Sequence, residues 1–134
     1  MRTVSRTLSV LPESFAICQL PPEATIPAWA MPRNADFFAI TQTREELSII
    51  CPQQCLPPDS DILADINWRC LKLEGPFELD EPGVMASIVK PLADAGISVF
   101  AEATYNTDYL LVNKLELAIS VLEGLGHTLN TSDA

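Results

Sequence analysis

From Trp68 onward the apolar residues switch repeatedly between strand and helix spacing, and the order of the switches leaves few folds open. "WRCLKLEG" sets Trp68, Cys70, Leu71 and Leu73 against Arg69, Lys72 and Glu74, which suits a strand with one wet face. From Val84 to Ala95 the apolar positions 84, 85, 88, 89, 92 and 95 return at helical spacing. Pro91 lies inside this stretch and is expected to kink the helix or break it after its second turn. Gly96 is placed to end it in the left-handed conformation. "ISVFAEA" and "DYLLVN" then read as two strands around a polar hairpin. "KLELAISVLEGLGH" carries Leu115, Ala118, Ile119, Leu122 and Leu125 on one helical face, and "HTLN" reads as a last short strand. The order is β-α-β-β-α-β. It predicts a ferredoxin-like α+β unit, a four-stranded antiparallel sheet with two helices on one face.

The first half is strand-rich and proline-broken. "TLSVL" and "SFAICQL" are short apolar runs parted by Pro12-Glu13. "PPEATIPAWAMPRNA" holds no more than a helical turn near Ala28–Met31, because Pro27 and Pro32 bracket it. "DFFAITQT" and "ELSIICP" read as hairpin partners, and "SDILADI" leaves room for one short helix. This half looks like the same plan with its helices eroded. The expected division is residues 1–62 for a degenerate first unit and 63–134 for the second, two βαββαβ units in tandem.

Charge narrows the function. Eighteen acids against eight bases give a net charge of −10, which repels nucleic-acid backbones and anionic lipids, so neither partner is expected. No apolar run is long enough to span a bilayer, and the start, broken by Pro12 and Glu13, does not read as a signal peptide; a cytoplasmic protein is expected. The four cysteines include one close pair, Cys51 and Cys55, without a second, so reduced thiols packed in strands are expected rather than a metal centre. The sequence carries no nucleophile elbow, phosphate-binding glycine loop or zinc-protease motif. The single histidine, His127, reads as a helix-end partner rather than a general base. No catalysis and no cofactor are expected.

"LEGPFELDEPGVMASIVKPLADAGISVFAEATYNTDYLLV", followed by "LELAISVLEGLGH", resembles the ACT-domain family of amino-acid-sensing modules. Within that family it is similar to small tandem-ACT proteins and to one half of the CASTOR-type arginine sensors. "TLSVLPESFAICQLPPEATIPAWA" with "FFAITQTREELSIICP" resembles their first unit. The resemblance implies a non-catalytic amino-acid-binding regulatory or sensor module, its ligand arginine or another amino acid. It implies a homodimer with pockets at the subunit interface, and a regulated enzyme or signalling partner on another chain. The alternative is an ACT module for structure or protein interaction that binds no ligand.

The resemblance carries a candidate site onto "EPGVM" and "TYNTD": Glu81, Gly83, Val84, Met85, Thr104, Tyr105 and Asp108. A helix N-terminus exposes N–H groups and the positive end of its dipole, which suits the ligand carboxylate. Gly83 has no side chain to block approach, and Val84 and Met85 supply the next amides. Asp108 is placed to hold the ammonium group. Thr104 and Tyr105 are placed to give backbone contacts and an apolar wall, and Glu81, with Glu78 beside it, to meet a basic side chain.

Overall fold

The structure, a computed structural model, describes residues 5–58, 61–74 and 83–131. Its elements are β1 (Thr7–Leu20), β2 (Ala39–Gln42), β3 (Leu47–Pro52), β4 (Leu63–Leu73), α1 (Val84–Asp94), β5 (Val99–Ala103), β6 (Asp108–Val112), α2 (Leu115–Gly124) and β7 (Thr128–Thr131). Contacts group the chain into two units, Met1–Pro12 with Arg69–Ala134, and Glu13–Trp68. The long strands β1 and β4 each contribute residues to both.

In the larger unit the strands run in the order β5-β6-β4-β1, with β7 against β1. β6 pairs antiparallel with β4 and with β5, so Leu73, Asp108 and Ala103 align at one end of the sheet and Arg69, Val112 and Val99 at the other. Both helices pack on the face that carries Leu71, Leu73, Leu110 and Val112, burying Val84, Ile88 and Leu92 of α1 and Ala118 and Leu122 of α2. The mixed α+β composition, antiparallel pairing and two helices match the expectation. The outer strand differs: β7 pairs in parallel with β1, Thr7 opposite Thr128 through Val10 opposite Thr131. β1 thereby stands between β7 and β4, and the sheet exceeds the four strands of one ferredoxin-like unit. Leu8 and Val10 explain the insertion, because both are buried in the same core as the helices. Alternation within a strand reveals a buried face but not the neighbouring strand.

Helix α1 runs through Pro91 to Asp94, so of the kink or break expected there the break does not occur. Proline in a helix interior costs about 3 kcal/mol. Ile88 and Leu92 on either side are fully buried, and each contributes about 1.5–3 kcal/mol, enough to hold the last turn in place. Beyond it Gly96 takes φ +82°, its N–H donates to Ala93 O and the Ile97 N–H to Leu92 O, both at 3.0 Å. This is the Schellman pattern, with buried Ile97 as its apolar contact. Residues Leu122 to His127 close α2 with the same pair of bonds.

In the smaller unit β3 pairs antiparallel with β1 from Phe15 opposite Pro52 to Leu20 opposite Leu47, and β2 pairs with β3. Its helices are reduced to single 3-10 turns at Ala28–Ala30 and Gln53–Cys55. The core gathers Ala16, Cys18, Ala30, Leu47, Ile49 and Cys51. "SDILADI" forms no helix among its described residues, because Leu63 already opens β4. The two early runs are one continuous strand that includes exposed Pro12. Cys18, Cys51 and Cys70 are buried, Cys55 is half-buried, and all four are free thiols. Cys51 and Cys18 share a side-chain hydrogen bond that pulls the Cys18 thiol down against the opposing effect of burial and, together with burial, drives the Cys51 thiol far up.

Candidate functional site

The sheet register settles which expected residues share one end of the larger unit. α1 spans eleven residues, about 16 Å of helix, and a five-residue strand covers about the same length. The helix leads into β5, whose first residue pairs with Val112. Its start therefore lies at the opposite end, where Leu73 and Asp108 are paired.

Gly83 occupies the N-cap with φ 80° and ψ −5°, a left-handed conformation that favours glycine. A Cβ added there would meet nothing within 4 Å, so the space before the helix is open. Among the described residues no side chain caps the helix. The first helical bond runs from Ser87 N–H to Gly83 O, leaving the amides of Val84, Met85 and Ala86 without partners within the helix. The Val84 side chain is buried in the core and that of Met85 packs against it, so both offer backbone rather than side-chain polarity.

Asp108 shares a sheet face with Leu110 and Val112, the face under the helices. It is half-buried, and burial pushes its carboxyl above the usual range. Among the described residues no hydrogen bond or ion pair holds its side chain. Gly83, Val84, Met85 and Asp108 thus lie at one end of the helix-covered side.

Thr104 and Tyr105 lie elsewhere. The hairpin is fastened by Thr104 N–H donating to Thr107 O at 2.8 Å, Thr104 Oγ1 donating to the same oxygen at 3.0 Å, and Thr107 N–H donating to Thr104 Oγ1 at 3.2 Å. The buried Thr107 hydroxyl donates to Leu73 O. With Lys72, Glu74, Asn106 and Tyr109, this hairpin lines a cleft of about 550 Å³. Lys72 and Tyr109 are cross-strand partners, and they alternate with Leu71, Leu73 and Leu110, so the cleft opens on the face opposite the helices. Thr104 and Tyr105 belong to that cleft; Asp108 and the α1 N-terminus do not line it. Glu81, with Glu78, lies outside the described residues. Sequence reasoning missed Lys72, Asn106, Thr107 and Tyr109, whose grouping depends on strand register.

His127 has a further contact besides its place at the end of α2. It is 4% exposed; its backbone N–H closes α2 on Leu122 O, as a helix-end partner would, while its Nδ1 accepts the Arg6 backbone N–H at 3.0 Å. Burial, with the Arg6 charge adding to it, lowers its pKa.

Residues 63–124 match the ACT domain model, and residues 13–59 match a model of an N-terminal domain. The solved protein Atu0741 from Agobacterium tumefaciens is 36% identical, with 98% of this chain and 97% of that one covered at a TM-score of 0.89. The chain carries an ACT domain over residues 63–124. This ACT-domain chain is also similar to human putative protein CASTOR3P, 36% identical over 92 residues that cover 60% of this chain and 56% of that one. It is 33% identical over 87 residues to the human cytosolic arginine sensor for mTORC1 subunit 1, covering 60% of this chain and 26% of the sensor. The chain thus spans about half or less of the curated relatives it matches. The regulatory subunit of aspartate kinase from Thermus flavus shares the fold, at 12% identity and a TM-score of 0.57 over 92% of this chain and 95% of that one. No helix among the described residues is long and apolar enough to cross a membrane.

Proposed function

We propose that the chain is a non-catalytic amino-acid-binding regulatory module, with the ligand held between the α1 N-terminus at Gly83 and the carboxylate of Asp108. The observation that carries this reading is the pairing of a glycine-opened helix start with a half-buried aspartate at the same end of an ACT sheet, neither with a side-chain partner among the described residues. Free amides suit the ligand carboxylate and Asp108 suits its ammonium. Similarity to proteins named as arginine sensors supports arginine as the first ligand to test, with Glu81 meeting its side chain. Thr104 and Tyr105 would then act as the outer rim, from across the sheet edge.

In this reading the chain comprises two ferredoxin-like ACT units in tandem, residues 1–62 and 63–134. It works as a cytoplasmic homodimer, with each pocket at the subunit interface and a regulated enzyme or signalling protein as partner. A thermal-shift screen against the twenty amino acids tests it. A ligand at a hundred times its dissociation constant stabilises the protein by about 2.7 kcal/mol. The shift should vanish in Asp108→Asn while the melting temperature without ligand stays close to wild type. A wild-type protein that responds to no amino acid, or a variant that responds fully, overturns the reading.

A further inference from the structure

We propose that the free edge of β4 in the smaller unit, Leu63 to Ile66, docks an extended segment of another protein in which basic and apolar residues alternate. β4 is hydrogen-bonded to β1 and to β6, and its pairing with β6 covers only Arg69 to Leu73. Among the described residues no strand continues that side toward Leu63, and residues 63–67 are all exposed. Asn67 closes the edge at one end: its N–H donates to Gln53 Oε1 at 2.7 Å, and Gln53 Nε2 donates to its Oδ1 at 3.2 Å. From Leu63 to Ile66 no side chain plugs the edge in this way among the described residues. Backbone groups paired on one side only accept an added strand.

The side chains along the edge select the occupant. Leu63 is 67% exposed and Ile66 48%, where an edge facing only water is ordinarily guarded by charge or proline. Leu63 and Gln19 are shared by two adjoining hollows of about 540 and about 450 Å³. Leu20, Pro21 and Ile62 make the first apolar, and Ile17 and Ala64 the second. The charges bordering them are Glu45 and Asp61 at the first and Glu46 and Asp65 at the second, with no lysine or arginine among the described lining residues. Gln19 Nε2 donates to Glu46 Oε1 at 3.4 Å and Trp68 Nε1 to Asp65 Oδ1 at 3.2 Å, while the Glu45 and Asp61 side chains have no partner among the described residues. Alternation puts Leu63 and Asp65 on one face of the sheet and Ala64 and Ile66 on the other. An added strand therefore meets acid on one face and apolar surface on the other. Its complement is a segment that alternates Lys or Arg with Val, Ile or Leu. A second copy is disfavoured, because pairing this edge with itself would bring Asp61 and Asp65 of both chains together.

The surface lies within residues 17–66 and needs no ligand at Asp108, so the test is made with no amino acid added. The probe is a synthetic Lys-Val repeat peptide titrated into the full chain and followed by amide chemical shifts. Shifts should concentrate at residues 61–66, with 19–21 and 45–46 beside them. Leu63→Lys should weaken binding by about tenfold or more, and Asp61→Asn and Glu45→Gln each by about twofold to fivefold. All three positions are exposed, so the melting temperatures should stay close to wild type. The same peptide methylated on alternate backbone nitrogens keeps its charge and should bind about threefold more weakly or worse, because it cannot complete the ladder. Equal binding of the two peptides overturns the proposal, since net charge alone would then be read. So does wild-type affinity in Leu63→Lys, a Glu-Val repeat that binds as tightly, or the absence of shifts at millimolar peptide. Sedimentation showing a wild-type dimer that Leu63→Lys dissociates overturns it as well, by assigning the edge to a second copy.

Discussion

Acidification should loosen the attachment of β7 to β1 through His127. The ring is 4% exposed, its Nδ1 accepts the Arg6 N–H at 3.0 Å, and its Nε2 has no hydrogen-bond partner among the described residues. Protonation would remove the acceptor and place a cation in a buried position near Arg6. The folded-state pKa is accordingly depressed below the ordinary 6.5. For a histidine depressed in this way the unfolded chain binds the proton first. The contribution is complete above pH 6.5 and is lost as pH falls from there toward the folded value. The loss reaches at most about 1.4 kcal/mol for each pH unit in that window. The chain also carries eighteen acids, so the measurement must be differential. Urea unfolding of wild type and of His127→Phe between pH 7.5 and 5.5 isolates the term. The variant should be less stable at pH 7.5 by about 1–3 kcal/mol, because the part-buried Arg6 N–H loses its acceptor. Its stability should then fall less than that of wild type on acidification. Parallel curves for the two proteins would refute the reasoning.

Three further outcomes follow from packing and backbone geometry. Ile88→Ala, in a fully buried position beneath α1, should cost about 2–5 kcal/mol in chemical denaturation; a loss below 1 kcal/mol would mean the site collapses without a cavity. Asn67 holds φ 69°, and its N–H donates to Gln53 Oε1 at 2.7 Å. Asn67→Val should cost about 1–3 kcal/mol and Asn67→Gly clearly less, with equal losses ruling out the left-handed conformation as the cause. Native protein treated with a maleimide should be modified first at half-buried Cys55, with Cys18, Cys51 and Cys70 reacting only on unfolding; mass spectrometry showing early modification of Cys18 would contradict the burial.

Much of the candidate site was legible because it rests on local chemistry. Gly83 before a helical run, Asp108 at the start of an apolar strand and Gly96 after the last turn are each written in adjacent residues, and the structure gives each the expected local setting. Pro91 left a kink and a break both open, because the sequence displays its cost but not the burial of Ile88 and Leu92 that offsets it. The cleft was missed for a related reason. Lys72 and Tyr109 lie 37 residues apart and become neighbours only through the β4–β6 register.

The sequence by itself determined the elements, because hydrophobic period, proline placement and glycine caps act over a few residues. Only the tertiary structure decided which strands are neighbours. The parallel union of β1 with β7, and the separation of Thr104 and Tyr105 from Asp108 onto opposite faces, follow from burying Leu8 and Val10 in a shared core and from the strict alternation of side chains across a sheet.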